Sequence, residues 1–174
     1  MTHLTLALDK DSLAGWSFSG PVKKAYDKTC KGFILLFEHS TKAMIPVDPR
    51  NSEDLHLVQP YLMMQIMITD KKVFHLEITV TDQHKIKRRL FFNAGQSYSP
   101  AKDNISKQQL HARIPFDIVR DGVWMNLQLD ILNFYEACFP GEPPFRSLDG
   151  IIITGACRIR KVLTMRSQLF DTTA

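Results

Sequence analysis

The side chains that could support catalysis are scattered along the 174-residue chain instead of being grouped in motifs. Ser17 and Ser19 lie near glycines, but their segment lacks the G-x-S-x-G spacing of a serine nucleophile at a strand-to-helix turn. The six histidines show no H-x-x-x-H or H-x-H spacing that would place two imidazoles on one metal ion. The sequence therefore predicts no nucleophilic site and no metal site, although sandwich loops can bring distant metal ligands together.

Carboxylates and phosphate-binding loops give no stronger signal. Asp117, Asp121 and Asp130 surround one predicted strand, where turns and a polar strand face account for them. The chain has no Walker loop and no G-x-G-x-x-G sequence. We therefore expect a protein that is not an enzyme and that needs no cofactor.

Cations are the residue type that does cluster. The net charge is only +4, but three short windows, residues 23–31, 85–89 and 157–166, carry +11 between them while the rest of the chain carries −7. This segregation favours an anionic partner. Charge alone leaves open whether that partner is a nucleic acid, a membrane surface or an acidic protein.

Two of the basic windows lie on predicted strands, where successive side chains point to opposite faces. In a strand over residues 85–92, Lys85, Lys87 and Arg89 would project together from one face. Arg88 falls on the apolar face, which predicts an edge position, a bulge or a snorkelling side chain. In the strand over residues 157–165 the alternation breaks at Lys161, which predicts a bulge there. The alternative for both strands is that their charges protect sheet edges from pairing with other chains.

Strands are the elements that must position these residues. Apolar and polar side chains alternate cleanly along residues 74–81 and 123–131, as expected when one strand face lies in a core. Polar turns at 69–72 and 81–84 separate neighbouring apolar runs and predict hairpins. About nine strands are predicted, at residues 33–37, 43–47, 61–69, 74–81, 86–92, 109–114, 123–131, 151–154 and 157–165.

One helix and one long loop interrupt the strand pattern. Apolar residues spaced i, i+3, i+4 and i+7 predict a short helix near 131–138, ended by Pro140 and Gly141. Residues 93–107 are almost entirely polar and predict a surface loop. Many short strands bury their apolar faces best against each other, so the predicted fold class is all-β, a two-sheet antiparallel β-sandwich with one short helix.

The compartment is predicted from the cysteines and the apolar runs. Cys30, Cys138 and Cys157 are odd in number and lack C-x-x-C spacing, which favours reduced intracellular thiols. The amino terminus lacks the basic region of a signal peptide. No apolar run approaches the 18 or so residues of a membrane span.

Four segments give the chain a family resemblance. They are IKRRLFF at 86–92, LHARIP at 110–115, GVWMNLQLDILNF at 122–134 and SLDGIIITGACRIRKV at 147–162. With these segments the chain resembles the cilia- and flagella-associated protein 20 family, and is most similar to the amino-terminal module of a larger relative that contains this domain. The resemblance divides the chain into a divergent segment at 1–21, one sandwich domain at 22–168 and a tail at 169–174. The loop at 93–107 is longer than its counterpart in the family.

The resemblance implies a β-sandwich similar to carbohydrate-binding modules. It also implies a structural role in the axoneme of cilia and flagella, in basal bodies or in centrioles, with tubulin and neighbouring ciliary proteins as partners. Tubulin is strongly acidic, so basic strands would suit it. Trp124 and Cys157 also match the motifs, and core packing is their favoured role. The candidate contacts to the acidic partner are Lys85, Lys87, Arg88, Arg89, Arg158, Arg160 and Lys161.

Two alternative functions stay open at this point. The sandwich could be a lectin-like module, with Trp16, Trp124 and Tyr98 as platforms on which sugars stack. Nucleic-acid binding through the same basic strands is the less favoured alternative. The chain lacks the interleaved exposed aromatics of single-strand binders, and its pI of about 9.0 is only borderline.

Overall fold

A computed structural model describes residues 5–6, 13, 15–47, 54–94 and 110–168. Within these ranges the chain forms twelve strands and one helix. In chain order they are β1 (Thr5–Leu6), β2 (Ser17–Ser19), β3 (Val22–Asp27), β4 (Gly32–Phe37), β5 (Lys42–Ile45), β6 (Tyr61–Ile68), β7 (His75–Asp82), β8 (Lys87–Asn93), β9 (His111–Pro115), β10 (Trp124–Asp130), α1 (Ile131–Cys138), β11 (Phe145–Thr154) and β12 (Cys157–Met165).

The strands form two six-stranded sheets. Sheet I has the order β10-β6-β12-β4-β3, with β1 beside β12, and sheet II has the order β2-β5-β11-β7-β8-β9. The described strand pairs are antiparallel except β8 and β9, which run parallel with Arg89 opposite His111. The antiparallel prediction is therefore wrong for this one pair. Parallel neighbours need a long connection, and residues 94–110 provide it.

The core lies between the sheets and is built by alternation. In β7, Leu76, Ile78 and Val80 are fully buried, whereas His75 and Glu77 point outwards. β6 buries every second residue in the same way. The apolar face of one such sheet is removed from water only by the apolar face of the other, which stabilises a sandwich. The predicted all-β, two-sheet fold is confirmed.

The predicted helix near 131–138 is confirmed as α1. It begins where β10 ends, because the Asp130 carboxylate accepts a hydrogen bond from the backbone amide of Asn133 at 3.0 Å and caps the first turn. Ile131 and Tyr135 are buried and attach the helix to the core.

The sequence pattern misses three strands. β3 lies at an edge of sheet I and exposes Lys23, Lys24 and Tyr26, so its sequence has no continuous apolar face that would predict a strand. β1 and β2 lie within residues 1–21 and pair with β12 and β5. The sandwich therefore begins before residue 22.

One predicted hairpin is confirmed and the other is wrong. The turn at 81–84 joins β7 to β8, which are paired. The turn at 69–72 joins β6 to β7, which lie in different sheets, so it carries the chain across the sandwich. The chain crosses again between β11 and β12 at Gly155, whose φ of +102° and close approach to the Val73 carbonyl leave no room for a Cβ.

Some predictions fall outside the described residues. These are most of the loop at 93–107, together with Tyr98 and the tail at 169–174. Among the described residues, no helix has the length and apolar character needed to cross a membrane.

Candidate functional site

The two basic strands of the prediction lie in different sheets. β8 belongs to sheet II and β12 to sheet I. Because the two sheets of a sandwich face each other across the core, their outward side chains point to opposite sides of the domain. The predicted cations therefore do not form one surface.

Three of the predicted cations lie at the outer face of sheet II. Lys87 is exposed and its ammonium lies 2.6 Å from the Asp54 carboxylate. Arg89, also exposed, lies 3.4 Å from Glu77 on the neighbouring strand. Lys85 is exposed but precedes β8, in a turn where its φ is +65°. The strand therefore starts at Lys87, after the predicted start, and Lys85 reaches solvent from the turn.

Arg88 is not available to a partner, which corrects the prediction for this residue. Its side chain is fully buried and forms ion pairs with Asp82, also fully buried, and with Glu142. It also donates to the Tyr135 hydroxyl at 3.4 Å and lies 5.5 Å from the centre of the Phe139 ring. Strand alternation turns Arg88 inwards, as predicted. Its charge is accommodated by ion pairs in the interior, and not by a bulge or by snorkelling of the side chain.

The buried pair changes the titration of its carboxylate. Burial raises the pKa of Asp82, but hydrogen bonds from Arg88 and from the backbone amide of Ile86, at 2.9 Å, more than offset that effect. The pKa of Asp82 is therefore lowered from its ordinary value. Since the partners come from β7, β8, α1 and the segment after α1, the network ties the helix to sheet II.

The cations of β12 are largely engaged within the domain. Arg158 lies 3.0 Å from Asp27. Burial raises the pKa of Asp27, but hydrogen bonds from backbone amides and from Arg158 lower it by more, so the pKa lies below its ordinary value. Arg160 donates to Gln65 at 3.2 Å and passes over Gly32. Lys161 is exposed beside a register shift between β12 and β6, so the predicted bulge is confirmed.

Two further cations extend the sheet II cluster, and the sequence reasoning missed both. Arg113 is exposed on β9, where it lies opposite Phe91 of β8. Arg146 is exposed on β11 and lines the same cavity as Lys85 and Lys87. Arg113 was missed because no local sequence signal shows that β9 lies parallel to β8. We call this set the basic face, and it consists of Lys85, Lys87, Arg89, Arg113 and Arg146.

A polar cavity of about 250 Å³ opens at one side of the basic face. Its central feature is Asp149, which is 2% exposed and accepts hydrogen bonds from the Thr81 hydroxyl and, at 3.1 Å, from the backbone amide of His56. The cavity is lined by Asp54, His56, Thr81, Lys85, Lys87, Arg146, Ser147 and Asp149.

The cavity contains the group of described residues that comes nearest to a metal site. Ligand atoms of Asp54, His56 and Asp149 lie within 4.8 Å of one another, although Asp149 is distant in the sequence from the other two. Each carboxylate already has donors, since Asp54 is paired with Lys87 and Asp149 accepts from Thr81 and His56. A metal ion would have to compete with Lys87 for the Asp54 carboxylate.

The remaining predicted residues divide between core and surface. Cys157 is fully buried, as predicted, and burial raises the pKa of its thiol far above the ordinary value. Trp124 is only half-buried, on the outer side of β10 opposite Met67, so the prediction of a core position is wrong. The cause is its place in the alternation, since Leu127 and Leu129 occupy the inner face. Trp16 is 7% exposed, which removes it as a platform for sugars.

Comparison with solved structures gives a distant similarity. One matching chain comes from a study described as the structural basis for the promiscuous specificity of carbohydrate-binding modules from the β-sandwich superfamily. It is 11% identical with a TM-score of 0.41, and the match covers 92% of this chain and 61% of that chain. At this level the similarity carries no argument about function.

Comparison with protein families gives a match to nearly the whole sequence. The CFA20 domain matches residues 1–173, including the amino-terminal segment that contains β1 and β2. The resemblance found in the four sequence segments is thereby confirmed over the full sandwich. The chain belongs to the CFA20 domain family, a family of cilia-associated proteins.

Proposed function

We propose that this domain is a non-enzymatic binding module of the cilium that attaches to microtubules through the basic face. The observation that carries the proposal is the placement of Lys85, Lys87, Arg89, Arg113 and Arg146 around one side of one sheet. Family membership supports the ciliary setting. Tubulin supplies the acidic protein surface that such a cluster would recognise.

The ion pairs already present on the basic face are weak enough to be exchanged for contacts with a partner. The Lys87 and Arg89 side chains are 50% and 53% exposed, so water screens their pairs with Asp54 and Glu77. Exposed pairs of this kind contribute about 0–1 kcal/mol. Carboxylates of a partner can therefore compete for these cations at little cost to the fold.

Charge attraction to a repeating acidic lattice predicts binding that is sensitive to salt. The screening length falls from about 30 Å at 0.01 M salt to about 8 Å at 0.15 M. We expect the domain to co-sediment with microtubules at low salt and to be released progressively as salt is added. A domain that stays in the supernatant at every salt concentration would contradict the proposal.

Filter binding of DNA and RNA over the same salt range provides the comparison for specificity. We expect retention of nucleic acid to be weaker than co-sedimentation with microtubules at each salt concentration. Tighter binding to nucleic acid would replace tubulin with nucleic acid as the partner of the basic face.

Localisation tests the ciliary part of the proposal separately. We expect the tagged chain to follow the axoneme, the basal body or the centrioles in a ciliated cell, and to mark only centriolar microtubules in a cell without cilia. A uniform distribution in both cells would contradict a ciliary role, whatever the behaviour of the domain in the sedimentation assay.

A further inference from the structure

The cavity beside the basic face has an unused donor at its wall. Ser147 is 2% exposed and lines the cavity, yet its hydroxyl has no hydrogen-bond partner. A buried polar group without a partner costs free energy, so its presence needs an explanation. A ligand that enters the cavity and bonds to the hydroxyl provides one.

The other unused groups of the cavity are donors as well. Lys85 and Arg146 are exposed at its mouth and form no ion pair within the described parts of the chain. Both carboxylates, by contrast, already accept hydrogen bonds from neighbouring groups. Among the described residues, the groups that have no internal partner are therefore two cations and one hydroxyl, and these suit an acceptor and not a metal ion.

The charge and size of the cavity restrict which kind of acceptor can bind. Its lining holds three basic side chains, Lys85, Lys87 and Arg146, against the carboxylates Asp54 and Asp149, an excess of one Lys or Arg side chain over the carboxylates. A monoanion balances that excess, whereas a phosphate dianion would leave negative charge beside the buried Asp149. A volume of about 250 Å³ is below the usual range for small-molecule pockets and suits one side chain.

We propose that the cavity is a carboxylate-binding subsite, which takes one glutamate or aspartate side chain of an acidic polypeptide between Arg146, Lys85 and Ser147. The inference rests on the proposed function, since the acidic polypeptide is the partner of the basic face. It adds a specific anchor to what is otherwise an attraction between charged surfaces. Arg146 and Lys85 bind the carboxylate, and Ser147 fixes its position by donating a hydrogen bond.

The test is a titration of the isotope-labelled domain with a hexaglutamate peptide, followed by NMR at the backbone amides of Ser147 and Asp149. Parallel titrations use hexaglutamine, inorganic phosphate and Zn²⁺. We expect saturable shifts at both amides with hexaglutamate and none with hexaglutamine. Loss of a charged hydrogen bond typically weakens binding about tenfold or more, so Arg146→Gln should lower the affinity for hexaglutamate by at least that factor.

Lys161→Gln is the matched control, because it removes one exposed positive charge from sheet I. We expect it to change the affinity by less than about twofold, since a remote charge acts only through the screened field. Equal weakening by both variants, or tighter binding of phosphate or Zn²⁺ than of hexaglutamate at these amides, would overturn the carboxylate subsite.

The microtubule assay separates this inference from the proposed function. If Arg146→Gln with Ser147→Ala leaves microtubule affinity unchanged while wild-type binding remains sensitive to salt, the subsite is wrong and the proposed function stands. If hexaglutamate fills the cavity but the domain does not bind microtubules, the subsite stands and its acidic partner is another protein.

Discussion

Replacing Arg88 by methionine should destabilise the domain far more than its place in a basic sequence window suggests. The variant keeps an apolar chain of similar length but leaves Asp82 fully buried without its cation. Removing one partner of a buried ion pair costs about 3–5 kcal/mol. For a chain of this size each kcal/mol lowers the unfolding temperature by about 2–4 °C, so a decrease on the order of 10 °C is expected at pH 7.

The loss should depend on pH in a defined direction. In the wild type the lowered pKa of Asp82 contributes stability that is present above its ordinary pKa and is lost as the pH falls through the folded-state value. In Arg88→Met the effect of burial prevails and the pKa is raised, so a proton taken up as the pH falls from about 7 to about 4.5 relieves the buried charge. The difference in stability between the two proteins should therefore shrink on acidification.

Denaturant unfolding at pH 7 and at pH 4.5, followed by circular dichroism, measures both effects. Lys87→Met is the matched control, because this neighbouring cation is exposed and its pair with Asp54 contributes about 0–1 kcal/mol. Asp82→Asn combined with Arg88→Met should recover part of the loss by removing the stranded charge. Equal costs at the two positions, or a difference that widens at low pH, would show that Arg88 and Asp82 do not form a stabilising buried pair.

Three smaller predictions concern packing. Gly155→Ala should lower the free energy of unfolding by more than about 3 kcal/mol, because a Cβ would collide with the Val73 carbonyl. Gly122→Ala, at a φ of +71° with open space around it, should lower it by only about 1–2 kcal/mol, and chemical unfolding measures both. Ser147→Ala should leave stability unchanged or raise it by up to about 1 kcal/mol, since it removes an unpartnered hydroxyl, and a clear loss in thermal unfolding would show that the hydroxyl is bonded. Burial should keep Cys157 unreactive towards a thiol reagent until the domain unfolds. Mass spectrometry should find Cys30 labelled before Cys138, because burial raises the pKa of the Cys138 thiol.

Alternation predicts most of the fold because it reports directly which strand face lies in the core. The β7 and β12 patterns place the inner residues correctly, and the break at Lys161 coincides with the observed register shift. Alternation fails for β3, an edge strand with exposed cations, because such a strand has no fully buried face. It also cannot distinguish a hairpin from a crossing, as the turn at 69–72 shows.

The candidate site was predictable only in part, because a site depends on contacts between distant segments. The local pattern brings Lys87 and Arg89 to one face, and the structure does the same. It cannot show that Arg88 meets Asp82 and Glu142 in the interior, or that Arg146 reaches the cavity from β11. These contacts follow from pairing and packing, not from spacing along the chain.

In the proposed function, microtubules bind the basic face and not the sandwich as a whole. The most direct test compares two triple charge reversals in the co-sedimentation assay at low salt. Lys85→Glu, Arg89→Glu and Arg113→Glu change exposed residues of the basic face. Lys28→Glu and Lys31→Glu, in the turn between β3 and β4, together with Lys161→Glu on β12, make the same net change at exposed positions on the sheet I side.

Each reversal on the basic face replaces an attraction of roughly 0.5–1 kcal/mol by a repulsion. We therefore predict that the affinity for microtubules falls by about tenfold or more in the basic-face variant and by less than about twofold in the sheet I variant. Thermal unfolding of both variants checks that they remain folded. Unchanged affinity in the basic-face variant, or an equal loss in both, would show that the basic face is not the surface that binds microtubules.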